Sequence, residues 1–259
     1  MTAGGFGLSQ ADLDREAARF GVADEQVRRD HAISHILAGL SKHLRADVMF
    51  FGGTALSRTH LITARLSEDI DLIALGNRAE TVERLTKAVS SALLRTHGRV
   101  SWATEFTTKD VEPAIVETPA GIAIRIQLLA GHGYQPWPTE LRDIEQRYSD
   151  APPAKLIVPT IESFAGWKTA TWHDRGAARD LYDLWAIAAG GLINRAAAAL
   201  FAKHGPTGTP PREFMFTKAP SENEWLAALS AQTCLDVTAT DALRVVRRAW
   251  ATAVGEQWD

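Results

Sequence analysis

The sequence predicts an α+β protein: a mixed sheet in its first half and helices in its second. Three observations carry this. An apolar run, Val48–Phe51, stops at Gly52-Gly53 and is followed by a helix-forming stretch, the pattern of a strand, a turn and a helix. Further segments with strand character recur up to Leu129, whereas the chain from Thr160 onward is patterned almost throughout as helix. At 259 residues, 46% hydrophobic and 23% charged, the chain has the length and balance to bury a substantial core, which excludes disorder and fibrous classes.

Taken in order, Leu8 to Leu44 carries few turn signals, and Val27, Ile33, Ile36, Leu37 and Leu40 recur at helical spacing. The strand Val48–Phe51 and the turn at Gly52-Gly53 lead into a short helix over Thr54–His60. Ser67–Leu75 alternates polar and apolar at its start and becomes wholly apolar at its end, as in a strand whose first part emerges from a core. Ala79–His97 places Val82, Leu85, Val89 and Leu93 on one helical face and closes at Gly98. Strands are expected over Val100–Thr107, Ala114–Glu117 and Gly121–Leu129.

Between Gly131 and Pro159 the composition shifts to Gly, Pro, Tyr and Trp, which reads as a long connection holding one short helix and the domain boundary. Beyond it only the Gly/Pro-rich stretch Gly205–Pro220 interrupts the helical pattern. The expected organisation is an N-terminal helical segment over 1–45, an α/β core over 46–135 and a helical domain over 136–259.

The 28 Lys+Arg against 31 Asp+Glu give a formal charge of -3, so a nucleic-acid partner would need a local basic patch rather than a global field. The N-terminus lacks the regions of a signal peptide and no apolar stretch is long enough to span a membrane, so the expected location is cytoplasmic, with no membrane partner. The one cysteine, Cys234, in an Ala/Leu-rich segment, reads as a small core residue. His132, between two glycines and without a spaced partner, is a weak metal signal.

The chemistry concentrates in Ser67-Glu-Asp-Ile-Asp71. On a strand, Ser67, Asp69 and Asp71 project from one face, with neighbouring side chains about 6.5 to 7 Å apart. Two carboxylates at that spacing repel unless a cation sits between them, and they can converge on a divalent one. Upstream, the strand, the paired glycines and the helix start leave backbone N–H groups available to phosphate.

That combination, lettered Phe51-Gly-Gly-Thr-Ala-Leu-Ser-Arg-Thr-His60 and Arg65-Leu-Ser-Glu-Asp-Ile-Asp-Leu72, resembles the nucleotidyltransferase toxins of the AbiEii/AbiGii family, the mycobacterial MenT group included. These belong to the polymerase-beta-like superfamily, which implies a nucleotidyltransferase core with a mixed sheet. The resemblance implies that Gly52 and Gly53, with Thr54, Arg65 and Ser67, bind the nucleotide, and that Asp69 and Asp71 hold Mg²⁺ or Mn²⁺. It also implies a lysine and a further aspartate in the second half. Glu162-Ser-Phe-Ala-Gly-Trp-Lys168 and Arg179-Asp-Leu-Tyr-Asp-Leu184 match that pattern, giving Lys168 and Asp183, with Asp180 a competitor for the aspartate's role. The 15 positions between Lys168 and Asp183 would separate them by about 22 Å on one continuous helix, so the chain must turn back at His173-Asp-Arg-Gly176.

Arg58, Arg65, Arg175 and Arg179 could each touch phosphate or pair with a carboxylate. Trp167, Trp172 and Trp185 could stack on a base but fit core packing better. Ser67 is a candidate for regulatory phosphorylation, since a phosphoryl group there would put negative charge where the triphosphate must sit. Polymerase-beta-like enzymes often place a third carboxylate on a later strand, but here that strand reads Ile122-Ala-Ile-Arg-Ile-Gln-Leu128 and presents Arg125 and Gln127.

The resemblance implies a Mg-dependent transferase that moves a nucleoside monophosphate from an NTP to the 3′ end of tRNA, a toxin that blocks translation, and a cognate antitoxin. The alternatives are transfer to a protein or small molecule, and a non-catalytic nucleotide- or RNA-binding module.

Overall fold

A computed structural model describes residues 7–132 and 136–258. The chain divides into two compact units: one takes in the residues up to 132 and Glu140–Val158, the other residues 136–139 and the chain from Pro159 onward. The glycine-rich lead over 1–6 lies outside the described residues.

In the first unit, helices α1 (Gln10–Phe20) and α2 (Asp24–His43) precede strand β1 (Val48–Phe51). Ser9 caps α1 through the N–H of Asp12, and Gly21, at φ 65°, ends it in the left-handed conformation that glycine adopts at least cost. The periodic apolar residues of α2, Val27, Ile33, Ile36, Leu37 and Leu40, are fully buried. Helix α3 (Gly52–Thr59) begins two residues earlier than its sequence suggests, so both glycines lie in its first turn. Strand β2 (Asp69–Ala74), helix α4 (Arg78–Leu94) and strands β3 (Ser101–Thr104), β4 (Ala114–Glu117) and β5 (Ala123–Ala130) follow, close to the positions the pattern predicts.

The connection after Gly131 departs from expectation. In place of a short helix it contains two strands, β6 (Thr139–Ile144) and β7 (Ala154–Pro159). The described strands form one sheet in the order β3-β4-β5-β2-β1-β7-β6. β7 pairs parallel to β1 through Met49 and Ile157, and β6 takes the edge, where prolines outside the strand cost no ladder bond. Tertiary pairing thus converts a Pro-rich segment into strand.

Strand β2 occupies the middle of the sheet, antiparallel to β1 and parallel to β5. Its Ile70 and Leu72 are buried completely, which fixes Asp69 and Asp71 on the opposite face. Helix α3 is locked beneath them by a buried ionic network. Asp30 of α2 accepts from Arg58 at 2.8 Å, from Arg147 at 2.9 Å and from the Tyr148 hydroxyl at 2.8 Å. Arg58 also donates to the Glu145 carbonyl, and Arg147 to that of Ser57. Burial pushes the Asp30 carboxyl up, but the two guanidinium groups outweigh it and hold the group below the usual carboxylate range. Arg58 is therefore a structural residue rather than a phosphate ligand.

The second unit is helical: α5 (Ile161–Arg175), α6 (Ala178–Ala189), α7 (Arg195–His204), a 3-10 turn over Glu213–Phe216, α8 (Glu222–Leu229) and α9 (Ala239–Val254). Thr160, Asn194, Ser221 and Thr238 supply side-chain caps at four of these helix starts. Trp225 and Trp250 are buried in its core. Cys234 corrects the expectation for it: it lies exposed in the α8–α9 connection, where its Ala/Leu-rich flanks no longer form helix.

Candidate active site

In the first unit the paired glycines meet the acidic strand at very short range. Phe51 pairs with Asp71 across β1 and β2, so the chain turns into α3 directly beside the Asp71 carboxylate. A β-carbon on Gly52 would lie 2.1 Å from Asp71 Oδ2, and the residue sits at φ 77°; both space and conformation require glycine. A β-carbon on Gly53 would lie 2.7 Å from Arg65 Nη2 and 3.2 Å from Ser67 Oγ. Gly52, Gly53, Arg65, Ser67 and Asp71 are thus one local cluster, and Asp69 stands one side-chain repeat further along the same strand face.

The Thr54 hydroxyl donates to the backbone carbonyl of Asp69, tying α3 to β2. What Thr54 can offer a ligand is its backbone N–H, in the first turn of α3 with those of the glycines. No side chain caps this turn from Phe51, so the helix start suits an anion. The Arg65 side chain is buried, and one of its nitrogens donates to the Leu66 carbonyl at 3.2 Å. Across the β2–β5 pair, Asp69 lies opposite Arg125 and Asp71 opposite Gln127. The Gln127 amide donates to the Val111 carbonyl at 2.9 Å. The neighbouring strand therefore contributes an amide and a guanidinium beside the two acids.

In the second unit, Gly176 ends α5 in the left-handed conformation at φ 59°, and its N–H closes on the Trp172 carbonyl. Helix α6 then runs back beside α5 and brings its acids to Lys168. Lys168 Nζ lies 2.5 Å from Asp183 Oδ2 and 3.2 Å from Asp180 Oδ1. Asp180 is shared with Arg175, whose Nε lies 2.7 Å from its other oxygen. The sequence pits Asp180 against Asp183; the fold engages both, because their spacing of three places them on adjoining parts of one helical face. Arg175 reaches Asp180, and Arg179 donates to the Ala228 carbonyl at 3.3 Å.

The family model described as "Nucleotidyl transferase AbiEii toxin, Type IV TA system" matches residues 35–250. The chain belongs to this AbiEii family. It is an NTP-dependent nucleotidyltransferase of the toxin class, and its Gly-Gly turn, acidic strand and Lys168 helix all fall within the matched span.

Among solved structures, this AbiEii protein is similar to MenT4, a nucleotidyltransferase toxin from Mycobacterium tuberculosis H37Rv. The two are 22% identical over 97% of this chain and 91% of that one, with a TM-score of 0.71. A putative nucleotidyltransferase from H. pylori is 14% identical, over 90% and 95% of the two chains, with a TM-score of 0.50. These likenesses establish the α+β nucleotidyltransferase fold. No curated protein sequence matches the chain.

Trp172 is buried and donates to the Met215 carbonyl at 2.8 Å, and Trp167 stacks on Trp137 with centroids 6.0 Å apart. Trp185 packs on Tyr182. These are packing roles, as the sequence favours. His132 is exposed. No described helix is long and apolar enough to cross a membrane.

Proposed function

We propose that the protein moves a nucleoside monophosphate from an NTP onto the 3′-terminal hydroxyl of tRNA, with Mg²⁺ or Mn²⁺ bound by Asp69 and Asp71. The hydroxyl oxygen forms a bond to the α-phosphorus, the bond to the β-phosphate breaks, and pyrophosphate leaves. The observation that supports this reading is the close approach of the Gly52 backbone to the Asp71 carboxylate, which sets a helix start of the kind that suits phosphate beside the acidic strand face.

Two carboxylates on one strand face fit a divalent cation of this class, which when bound would stabilise the attacking and departing oxygens. The N–H groups of Gly52, Gly53 and Thr54 would orient the phosphates, and Arg65 and Ser67, packed against Gly53, would border them. Lys168 would bind phosphate oxygens as a point charge, with Asp180 and Asp183 holding its ammonium in one place. With Gln127 in register beside Asp71, the attacking hydroxyl loses its proton to a group other than a side chain at that position.

Support for tRNA as acceptor, for a cytoplasmic setting and for a cognate antitoxin comes from family membership. Phosphorylation of Ser67 would fill the space against Gly53 with charge and switch the enzyme off. Ser67→Asp is accordingly expected to be inactive and Ser67→Ala active.

The test incubates the purified protein with Mg²⁺, each labelled NTP in turn and total tRNA, beside an Asp69→Ala control and a sample lacking RNA. Label on tRNA only with the wild-type protein is the expected result. Label on protein instead would move the acceptor to a polypeptide, and label on neither, with NTP bound, would overturn the tRNA assignment.

A further inference from the structure

The first unit carries a second cluster of metal-ligating groups that the transfer chemistry does not use. His31 and His35 lie one turn apart on α2, in His31-Ala-Ile-Ser-His35, so both rings project from one face of the helix. Asp150, in the connection between β6 and β7, closes on them. Asp150 Oδ2 lies 3.2 Å from His31 Nε2 and 3.3 Å from His35 Nε2, and the two Nε2 atoms are 3.3 Å apart. Both histidines are buried, and the Asp150 side chain is 15% exposed.

We propose that His31, His35 and Asp150 bind a borderline transition-metal ion, Zn²⁺ foremost, at a site separate from the Asp69/Asp71 pair. The three donor separations are those of a tetrahedral ion: ligands at about 2.0 to 2.1 Å from zinc stand about 3.3 Å from one another. Two imidazoles and one carboxylate suit Zn²⁺ over Mg²⁺, which takes oxygen ligands. Zinc sites with three protein ligands keep one place for water, and Asp150 is the ligand of the three with the most solvent contact.

The surroundings supply what metal-binding histidines require. His31 Nδ1 lies 3.1 Å from His97 Nε2, and His97 Nδ1 lies 2.8 Å from the Thr96 hydroxyl. With the ion bound, His31 Nδ1–H donates to His97 and His97 Nδ1–H donates to Thr96, which leaves the His31 Nε2 lone pair for the metal. Without it the chain runs in reverse, with His31 Nε2–H turned to Asp150. Each imidazole carries one proton in either state, so the switch is a change of tautomer. Burial keeps all three histidines below their ordinary range, His97 at about 4, in the neutral form that ligates. The site would join α2, the turn after α4 and the β6–β7 connection, three segments far apart in sequence.

The test uses full-length protein free of any histidine tag, stripped with a chelator and titrated with Co²⁺, whose tetrahedral complexes absorb visible light. The expected result is one Co²⁺ per chain with tetrahedral visible bands, displaced by one equivalent of Zn²⁺. The Asp69→Asn/Asp71→Asn double variant should keep these bands, which separates this site from the nucleotide-transfer reading. Asp150→Asn, which keeps shape and hydrogen bonding, and His35→Gln should each weaken binding at least tenfold, with circular dichroism confirming the fold. If His35→Gln does not fold, Asp150→Asn decides. Absence of bands in the wild-type protein, undiminished binding by folded Asp150→Asn, or loss of the bands in the Asp69/Asp71 double variant would each overturn the proposal.

Discussion

The backbone of Gly52 lies against the carboxylate of Asp71 so closely that a β-carbon there would come within 2.1 Å of Oδ2. Neither group can give way easily: Asp71 sits on a central strand with buried neighbours, and Gly52 turns the chain at φ 77°. Gly52→Ala should therefore lower kcat/KM for nucleotide transfer by about 100-fold or more, which corresponds to about 2.7 kcal/mol of transition-state stabilisation. The backbone strain should also lower stability by about 1–2 kcal/mol. Pyrophosphate-release kinetics and a denaturant melt check both. Gly53→Ala meets only the end of the Arg65 side chain and the Ser67 hydroxyl, and should cost less on each measure.

Lys168 neutralises two buried carboxylates, Asp180 and Asp183. Removing its charge in Lys168→Met should destabilise the protein by about 3 kcal/mol as well as abolish transfer, because Asp183 is left buried without this cation. The double variant Lys168→Met/Asp183→Asn should recover part of the stability and none of the activity. Urea melts and transfer assays on the wild type, Lys168→Met, Asp183→Asn and the double variant check this, and additive stability losses would show that the pair is not coupled.

Asp30 is held by Arg58, Arg147 and Tyr148 and is fully buried. Its carboxyl has a lower pKa in the folded protein than in the unfolded chain, so its contribution is complete above the unfolded value of about 3.9 and is lost as pH falls through the folded value. Asp30→Asn should cost about 3–5 kcal/mol at pH 7. It should also flatten the fall in stability below about pH 4, which denaturant melts across that window would measure.

Cys234 is exposed. A thiol reagent should modify one cysteine per native chain without denaturant, and a Cys234→Ser protein should give no reaction. Because the residue packs into no core, that substitution should change stability by no more than about 0.5 kcal/mol.

The local parts of the fold are legible in the sequence because short-range patterning decides them. Alternation about Ile70 and Leu72 aims Asp69 and Asp71 to one side of β2, and Gly176 breaks the helix so that Lys168 and Asp183 can meet. The strands β6 and β7 are illegible for the converse reason. Their prolines and mixed pattern speak for a loop, and they become strands only because β1 offers a parallel edge more than a hundred residues earlier in the chain. Cys234 illustrates the same limit, since composition near a residue does not say which side of a connection faces solvent.

By itself the sequence determined the Gly52-Gly53 turn, the acidic strand face and the returning helix pair, because each depends on residues within a few turns of one another. Only the tertiary structure decided that Arg58 pairs with Asp30 and Arg147, that Asp180 shares Lys168 with Asp183, and that Asp150 meets His31 and His35. Charges and ligands of this kind are selected by burial, where an ionised group must find a partner, and burial is a property of the packed chain rather than of any segment.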